Sequence, residues 1–238
     1  MNNLRKYLLL FKNDMRNIFR DQIMMVMFIF PIIFILIFRW MASAINGIEP
    51  FLPLILGFCY IMMPNMLGAV LGFLILDEKD DKVLGALRVM PISASGFVIY
   101  RMLFPMGFTF IINMILPYAL DFVELDVGTA IILALIGALE APFLGLIVSS
   151  KAANKVEGMA AFKFAGFAFM LPLAAAFITS DWLWAFGVLP SFWPVKIVLD
   201  SVMGTPDLWL YIVGLLYNIA CLIGVGWFFK KTALESTK

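Results

Sequence analysis

Residues 51–93 read FLPLILGFCYIMMPNMLGAVLGFLILDEKDDKVLGALRVMPIS. Residues 51–76 carry no charge; Asp77, Glu78, Lys79, Asp80, Asp81 and Lys82 then follow without a gap, and an amphipathic stretch runs on to Pro91. About 20 apolar residues suffice to carry a helix across a bilayer. Residues 51–76 therefore read as a membrane span, long enough to tilt or to extend beyond the hydrocarbon core. The charge block reads as the start of an aqueous loop, and it raises the question of why so apolar a chain concentrates its charge there.

The whole chain follows the same pattern. Of its 238 residues 63% are hydrophobic and 14% charged, and the mean hydropathy is +1.01. A soluble domain carries roughly 45–50% apolar and about 25% charged residues, so too little polar surface exists here to cover a water-soluble globule. Apolar runs near 23–38, 51–76, 102–120, 127–148, 159–179 and 208–229 predict an all-α polytopic membrane protein with six spans. The stretch LPSFWPVKIVLDSVMG (189–204) is interrupted by Pro190, Pro194, Lys196 and Asp200. It predicts a re-entrant or interfacial segment within 180–207, with Trp182, Trp184 and Trp193 in the headgroup belt.

Basic residues cluster on one side of this topology: Arg5, Lys6, Lys12, Arg16 and Arg20 before the first span, Lys79, Lys82, Arg88 and Arg101 after the second, Lys151 and Lys155 after the fourth, and Lys230, Lys231 and Lys238 in the tail. The positive-inside rule then places both termini in the cytoplasm. Ala42-Ser43-Ala44 mimics a signal-peptidase site, but the long leader carries Asp14 and Asp21, so the first apolar run is expected to stay as a span.

The inventory also excludes chemistry. There is no histidine, and Cys59 and Cys221 both fall inside apolar runs, which disfavours metal hydrolases and histidine-dependent nucleophiles. No catalytic or metal site is expected. No Gly-Lys dipeptide occurs, so the chain holds no phosphate-binding loop of the G-x-x-x-x-G-K-[ST] kind.

Residues 1–21 form an amphipathic pattern. Leu4, Leu8, Phe11, Met15 and Ile18 lie on one helical stripe, with Arg16 and Arg20 on the other side. The helix is expected in the interface, apolar face towards lipid and basic face towards phosphates. After the charge block, Val83, Leu84, Leu87 and Met90 form a short ridge ended by Pro91. A helix parallel to the membrane fits, with the acidic residues at its N-terminus and Arg88 near its C-terminus, as the helix dipole favours. It reads either as a solvated loop or as a docking element for another protein.

Glu78–Ser93, read as EKDDKVLGALRVMPIS, resembles the segment E-R-E-x-G-T-L-E-x-L-L-x-T-P-L-S that follows the second span in permease subunits of the ATP-binding-cassette type-2 exporters. Glu78, Leu84, Leu87, Pro91 and Ser93 match; Lys82, Gly85 and Arg88 depart from the pattern. Residues 154–163 and 189–196 are similar to further hallmarks of the drug-export branch. The resemblance implies a single permease domain over 1–238 in a prokaryotic cytoplasmic membrane. Its loop 77–96 would couple to a separate cytoplasmic ATPase through Glu78, Asp80, Val83, Leu84, Leu87, Arg88, Met90 and Pro91. ATP and magnesium would bind that partner, with no cofactor in this chain and no role for nucleic acid. It further implies two permease subunits, identical or not, with the second and fifth spans lining the substrate path. Tyr60, Met62, Asn65, Met66, Phe167, Met170 and Leu171 are the path candidates, an adaptable surface for an apolar or amphipathic drug, antibiotic or peptide-like cargo.

Three features stay open at this level. Gly68-x-x-x-Gly72 permits close helix approach, between subunits or within one. Glu140 is the carboxylate near the middle of a span, a costly placement; it is expected either to pair with Lys163 or to handle substrate or protons. An ion-coupled secondary transporter using Glu140 is the alternative function, and a membrane-embedded enzyme a more distant one.

Overall fold

The computed structural model describes residues 3–81, 94–178, 180–204 and 206–235. Eight α-helices lie among them: α1 (Asn3–Arg20), α2 (Gln22–Ala44), α3 (Leu52–Asp80), α4 (Ala94–Leu120), α5 (Val127–Lys151), α6 (Lys155–Met170), α7 (Phe192–Met203) and α8 (Leu208–Phe229). Six helical segments are long and apolar enough to cross a membrane; they comprise α2 to α6 and α8 with short extensions. The all-α polytopic architecture is therefore as expected, with α1 as the additional leading helix.

Helix boundaries have local causes. The Asp21 carboxylate accepts the backbone N–H of Ile23 and Met24, each at 2.9 Å, which separates α1 from α2 with a one-residue corner. Asp126 caps α5 by accepting from Thr129 N at 3.1 Å. At α6, Asn154 accepts from Glu157 N at 3.0 Å, while Glu157 reaches back to Ala153 N at 2.8 Å. This reciprocal arrangement works like a capping box, and it explains the local pattern NKVE. Helix α6 gives way after Met170 to a 3-10 segment, Leu171–Ala176, in which Pro172 has no backbone N–H to donate to the preceding turn. The fifth span is thus α-helical only over its first part.

Helices α3 and α5 form the centre. Both are buried along most of their length, whereas α2, α6 and α8 are largely exposed on their outer faces. The centre is held by glycine. A Cβ at Gly68 would fall on the carbonyl oxygen of Ala141, and one at Gly145 on the carbonyl oxygen of Gly68. Gly72 meets Phe162 and the Gly145 Cα in the same way. The Gly68-x-x-x-Gly72 motif therefore serves contact between α3 and α5 within one subunit. Backbones this close gain dispersion along the whole crossing, the main source of helix association where lipid is as apolar as leucine.

At the end of the bundle away from the charge block lies α7, within the stretch 189–204. It packs within the bundle: Phe192, Val195, Ile197 and Val198 are fully buried. Val195 lies 3.7 Å from the position of a Cβ on Gly57 of α3, and Ser191 Oγ donates to Phe169 O at 2.8 Å. Lys196 keeps its charge paired with Asp200 one turn on, at 2.5 Å. Trp182 is exposed, but Trp193 is buried against Gly214 of α8, so its expected place in a headgroup belt is corrected. Its ring fills the gap that a glycine leaves.

Gly68→Val and Gly145→Val should each force α3 and α5 apart. The expected result is a sharp loss of monodisperse protein in detergent and a lower thermal midpoint, read by size-exclusion fluorescence. Gly166→Val, at a position with no atom within 4 Å of a Cβ, should behave like the wild type.

Candidate functional site

The first four residues of the charge block continue the second span. Asp77, Glu78, Lys79 and Asp80 form the last turn of α3. This corrects the expectation that these acids sit at the start of a separate helix. At a helix C-terminus carboxylates oppose the dipole, and the fold compensates each one. Glu78 pairs with the Arg101 guanidinium of α4, and Arg101 Nη1 also meets Asp14 of α1 at 2.8 Å. Tyr100 Oη donates to the same Asp14 carboxylate at 2.6 Å. Arg101 and Asp14 are each 2% exposed, and Glu78 is half-buried, so the triad is buried at its centre and open on the Glu78 side. Beside it, Lys155 of α6 bridges Asp21 at 2.6 Å and Asp77 at 2.9 Å. Lys79 donates to the carbonyl oxygens of Ser149 and Ala152, at the end of α5. The Lys155 N–H reaches Asp80 at 3.3 Å.

Every charged residue of that turn is thus tied inward, to α1, α4, the α5 terminus or α6. Glu78 and Asp80, expected at an ATPase contact, are engaged within the chain. Val83, Leu84, Leu87, Arg88, Met90 and Pro91 lie outside the described residues. Burial raises the Asp21 carboxyl, but the hydrogen bonds from Lys155 and from Met24 and Ile23, with the Lys155 charge, outweigh it and hold the group below its ordinary value of 3.8.

Helix α1 meets the bundle through Asp14 and Ile18, both buried, and through stacking of Tyr7 on Tyr100, with ring centroids 5.7 Å apart. Leu8 and Phe11 stay exposed, as do Arg16 and Arg20, while Met15 is half-buried; the side chain of Leu4 is not among those described. The apolar stripe is therefore divided between bundle and outside. The polar anchor, Asp14, was not legible, because an acid inside a basic leader reads as a solvated charge.

A second feature lies between α2, α3 and α6, a cavity of about 550 Å³. Met62, Asn65 and Met66 of α3 line it, with Phe167 and Met170 of α6, Met27 of α2, and Phe73, Met159 and Phe162. Five of the seven path candidates are thus brought together in one space. Tyr60 and Leu171 are not among its lining residues. Tyr60 is fully buried, with its hydroxyl 3.4 Å from Asn113 O of α4, and Leu171 lies exposed in the 3-10 segment. Methionine and phenylalanine walls re-pack around varied apolar shapes. The polar side chains of the lining are Asn65 and Lys163.

Lys163 and Glu140 do not pair. Lys163 is exposed and lines the cavity. Glu140 is 2% exposed, and neither of its oxygens has a hydrogen-bond partner among the described residues. It sits one turn beyond Gly137, which abuts the Asn113 side chain of α4. Thr109 Oγ1, both side-chain polar atoms of Asn113, and Asn218 Oδ1 of α8 are likewise buried and unpartnered. Thr109, Asn113 and Asn218 were not singled out from the sequence, where isolated amides and hydroxyls in apolar runs are too common to signal anything. No group of three or more Cys, Asp or Glu residues able to hold a metal occurs among the described residues.

Six helices long and apolar enough to span, with a methionine-lined cavity among them and a tied charge cluster at one end, define a multi-pass membrane protein. The comparisons make this specific. Residues 14–225 match the family described as fluoroquinolones export permease protein Rv2686c-like, and the chain belongs to that family. The fluoroquinolones export permease proteins MT2760 and Rv2686c, from two strains of Mycobacterium tuberculosis (CDC 1551 / Oshkosh and ATCC 25618 / H37Rv), are each 32% identical over 224 residues, covering 88% of both chains. No solved structure matches the chain. The drug-export branch indicated by the sequence pattern is therefore the family found.

Arg101→Met should leave Asp14 buried and Glu78 half-buried without a cation, a loss of about 3–5 kcal/mol for the broken buried pair with Asp14. The thermal midpoint in detergent should fall steeply, and adding Asp14→Asn and Glu78→Gln to the same protein should recover part of the fall. For Asp21 the folded value lies below the ordinary one, so its contribution is present above pH 3.8 and is lost as pH falls through the lower folded value. Asp21→Asn keeps a capping side chain and removes the charge. Its thermal midpoint should lie below that of the wild type at pH 6, and the gap should close as pH falls below 3.8 and through the lower folded value.

Proposed function

We propose that this chain is the transmembrane subunit of an ATP-binding-cassette exporter, moving an amphipathic, largely apolar molecule out of the cytoplasm with energy from a separate ATPase. The observation that carries this reading is the cavity between α2, α3 and α6. It gathers residues of the second and fifth spans where the exporter resemblance expects the path, and one of its walls, α3, runs on into the loop expected to dock on the ATPase. The relatives carry the name of fluoroquinolone exporters, and a fluoroquinolone is the first cargo to test. Both termini and the charged end of the bundle face the cytoplasm in this reading, and two permease subunits pair with two ATPases.

Closure of the ATPases would displace segment 82–93. Because α3 is in backbone contact with α5 and its last turn is tied to α1, α4 and α6, the displacement would be delivered to the helices around the cavity together. The buried, unpartnered Glu140 favours a second reading, an ion-coupled transporter in which this carboxylate exchanges its ion with each cycle.

Two measurements separate the readings. Leu84→Asp/Leu87→Asp should keep the protein in the membrane, abolish co-purification of an ATPase in mild detergent and remove energy-dependent efflux of a fluorescent fluoroquinolone. Efflux that continues without ATP under an imposed ion gradient, and stops in Glu140→Gln, would establish the second reading instead.

A further inference from the structure

Lys163 is placed where a lysine is costly. It lies eight residues along α6 from Lys155, and a helix rises about 1.5 Å per residue, so it sits roughly 12 Å further into the span. Lys155 is satisfied by Asp21 and Asp77 at the charged end. Lys163 has no carboxylate within ion-pair distance among the described residues, and it is exposed. A cation at such depth is disfavoured in lipid and marks a path for water, ions or substrate.

The second observation is the chemistry around it. The cavity that Lys163 lines carries no acidic side chain. Its other polar group, Asn65, has a buried Nδ2 with no hydrogen-bond partner. A buried amide donor without a partner and an exposed cation without an ion pair, among the described residues, therefore stand in a wall otherwise built of methionine, phenylalanine and aliphatic side chains. An unpaired buried donor costs free energy that a bound acceptor would restore. The complementary occupant is aromatic or aliphatic over most of its surface and carries one anionic group, a carboxylate above all.

The geometry points to Lys163 as the residue that selects anionic amphipathic substrates, binding their carboxylate while Asn65 donates to a neighbouring acceptor and the apolar body lies against Met66 and Phe167. This assignment rests on the exporter reading, because it takes the cavity to be the substrate site. The apolar wall sets how much of the molecule is buried; Lys163 sets its charge and its orientation.

The test is equilibrium binding of a radiolabelled aromatic carboxylate, 2-naphthoate, and of its neutral methyl ester to the protein in phosphatidylcholine nanodiscs, with empty nanodiscs subtracted. A zwitterionic bilayer is chosen so that no anionic lipid headgroup competes for Lys163. The wild type should prefer the acid by about tenfold, the scale of one charge-assisted hydrogen bond. Lys163→Met should bring the ratio to about one while keeping ester binding, and Lys163→Arg should keep the preference. Phe167→Ala should weaken acid and ester alike. A ratio unchanged in Lys163→Met overturns the role of Lys163 and leaves the cavity as the substrate site. No binding of either compound above empty nanodiscs, with Phe167→Ala efflux equal to wild type, overturns the cavity as the substrate site and the assignment with it. A Lys163→Met protein with an unchanged ratio and an altered oligomer size would place Lys163 against a second copy of the chain, and also overturns the assignment.

Discussion

The ion triad of Arg101, Asp14 and Glu78 is the constraint on which the charged end of this molecule depends. Three helices each contribute one residue: α1 an acid, α3 an acid and α4 the arginine. An arginine suits the place because its five donors stand in a rigid planar fork that matches carboxylate geometry, where a lysine offers a compact point charge. The interaction is not a simple gain in stability, since taking three charges out of water is costly. What it gives is uniqueness of arrangement. Any register of α1 or α4 that separates the partners leaves buried charge without compensation, so the leading helix, the end of α3 and the start of α4 are held in one relation.

The remainder of the bundle follows from a second constraint, the glycine contact between α3 and α5. It makes the two helices a wall, and the more exposed helices α2, α6 and α8 are arranged around it. The cavity opens on one side of that wall, between α2, α3 and α6. The polar side chains of Thr109, Asn113, Glu140 and Asn218 come from α4, α5 and α8. These four residues thus lie on helices other than α2, α3 and α6, which supply most of the cavity wall. The tight pair couples the two sets of helices, because close-packed backbone transmits displacement with little slack.

Much of the fold was legible before any coordinates, for a plain reason. Hydropathy reports transfer from water to lipid one residue at a time, so the six spans could be read locally. Helix ends were less legible. The charge block was read as the start of a new helix, because six consecutive charges normally mean water. Asp77, Glu78 and Asp80 belong instead to the last turn of α3, and only partners 23 to 78 residues away make that turn tolerable. The expected pairing of Glu140 with Lys163 failed similarly. Depth along two helices can be counted from the sequence, but the direction in which each side chain points depends on how the helices are rotated.

The sequence by itself determined that this is a six-span helical membrane protein, which spans are present, where the leading helix begins and which segment follows the second span. Composition and periodicity act locally, and lipid imposes the same requirement on every span. Only the tertiary structure decided that the glycine motif joins α3 to α5, that α7 enters the bundle, that Arg101 gathers Asp14 and Glu78, and that Met62, Asn65, Met66, Phe167 and Met170 share one cavity. Those outcomes depend on helix rotation and on contacts between distant residues, and no local free energy encodes them.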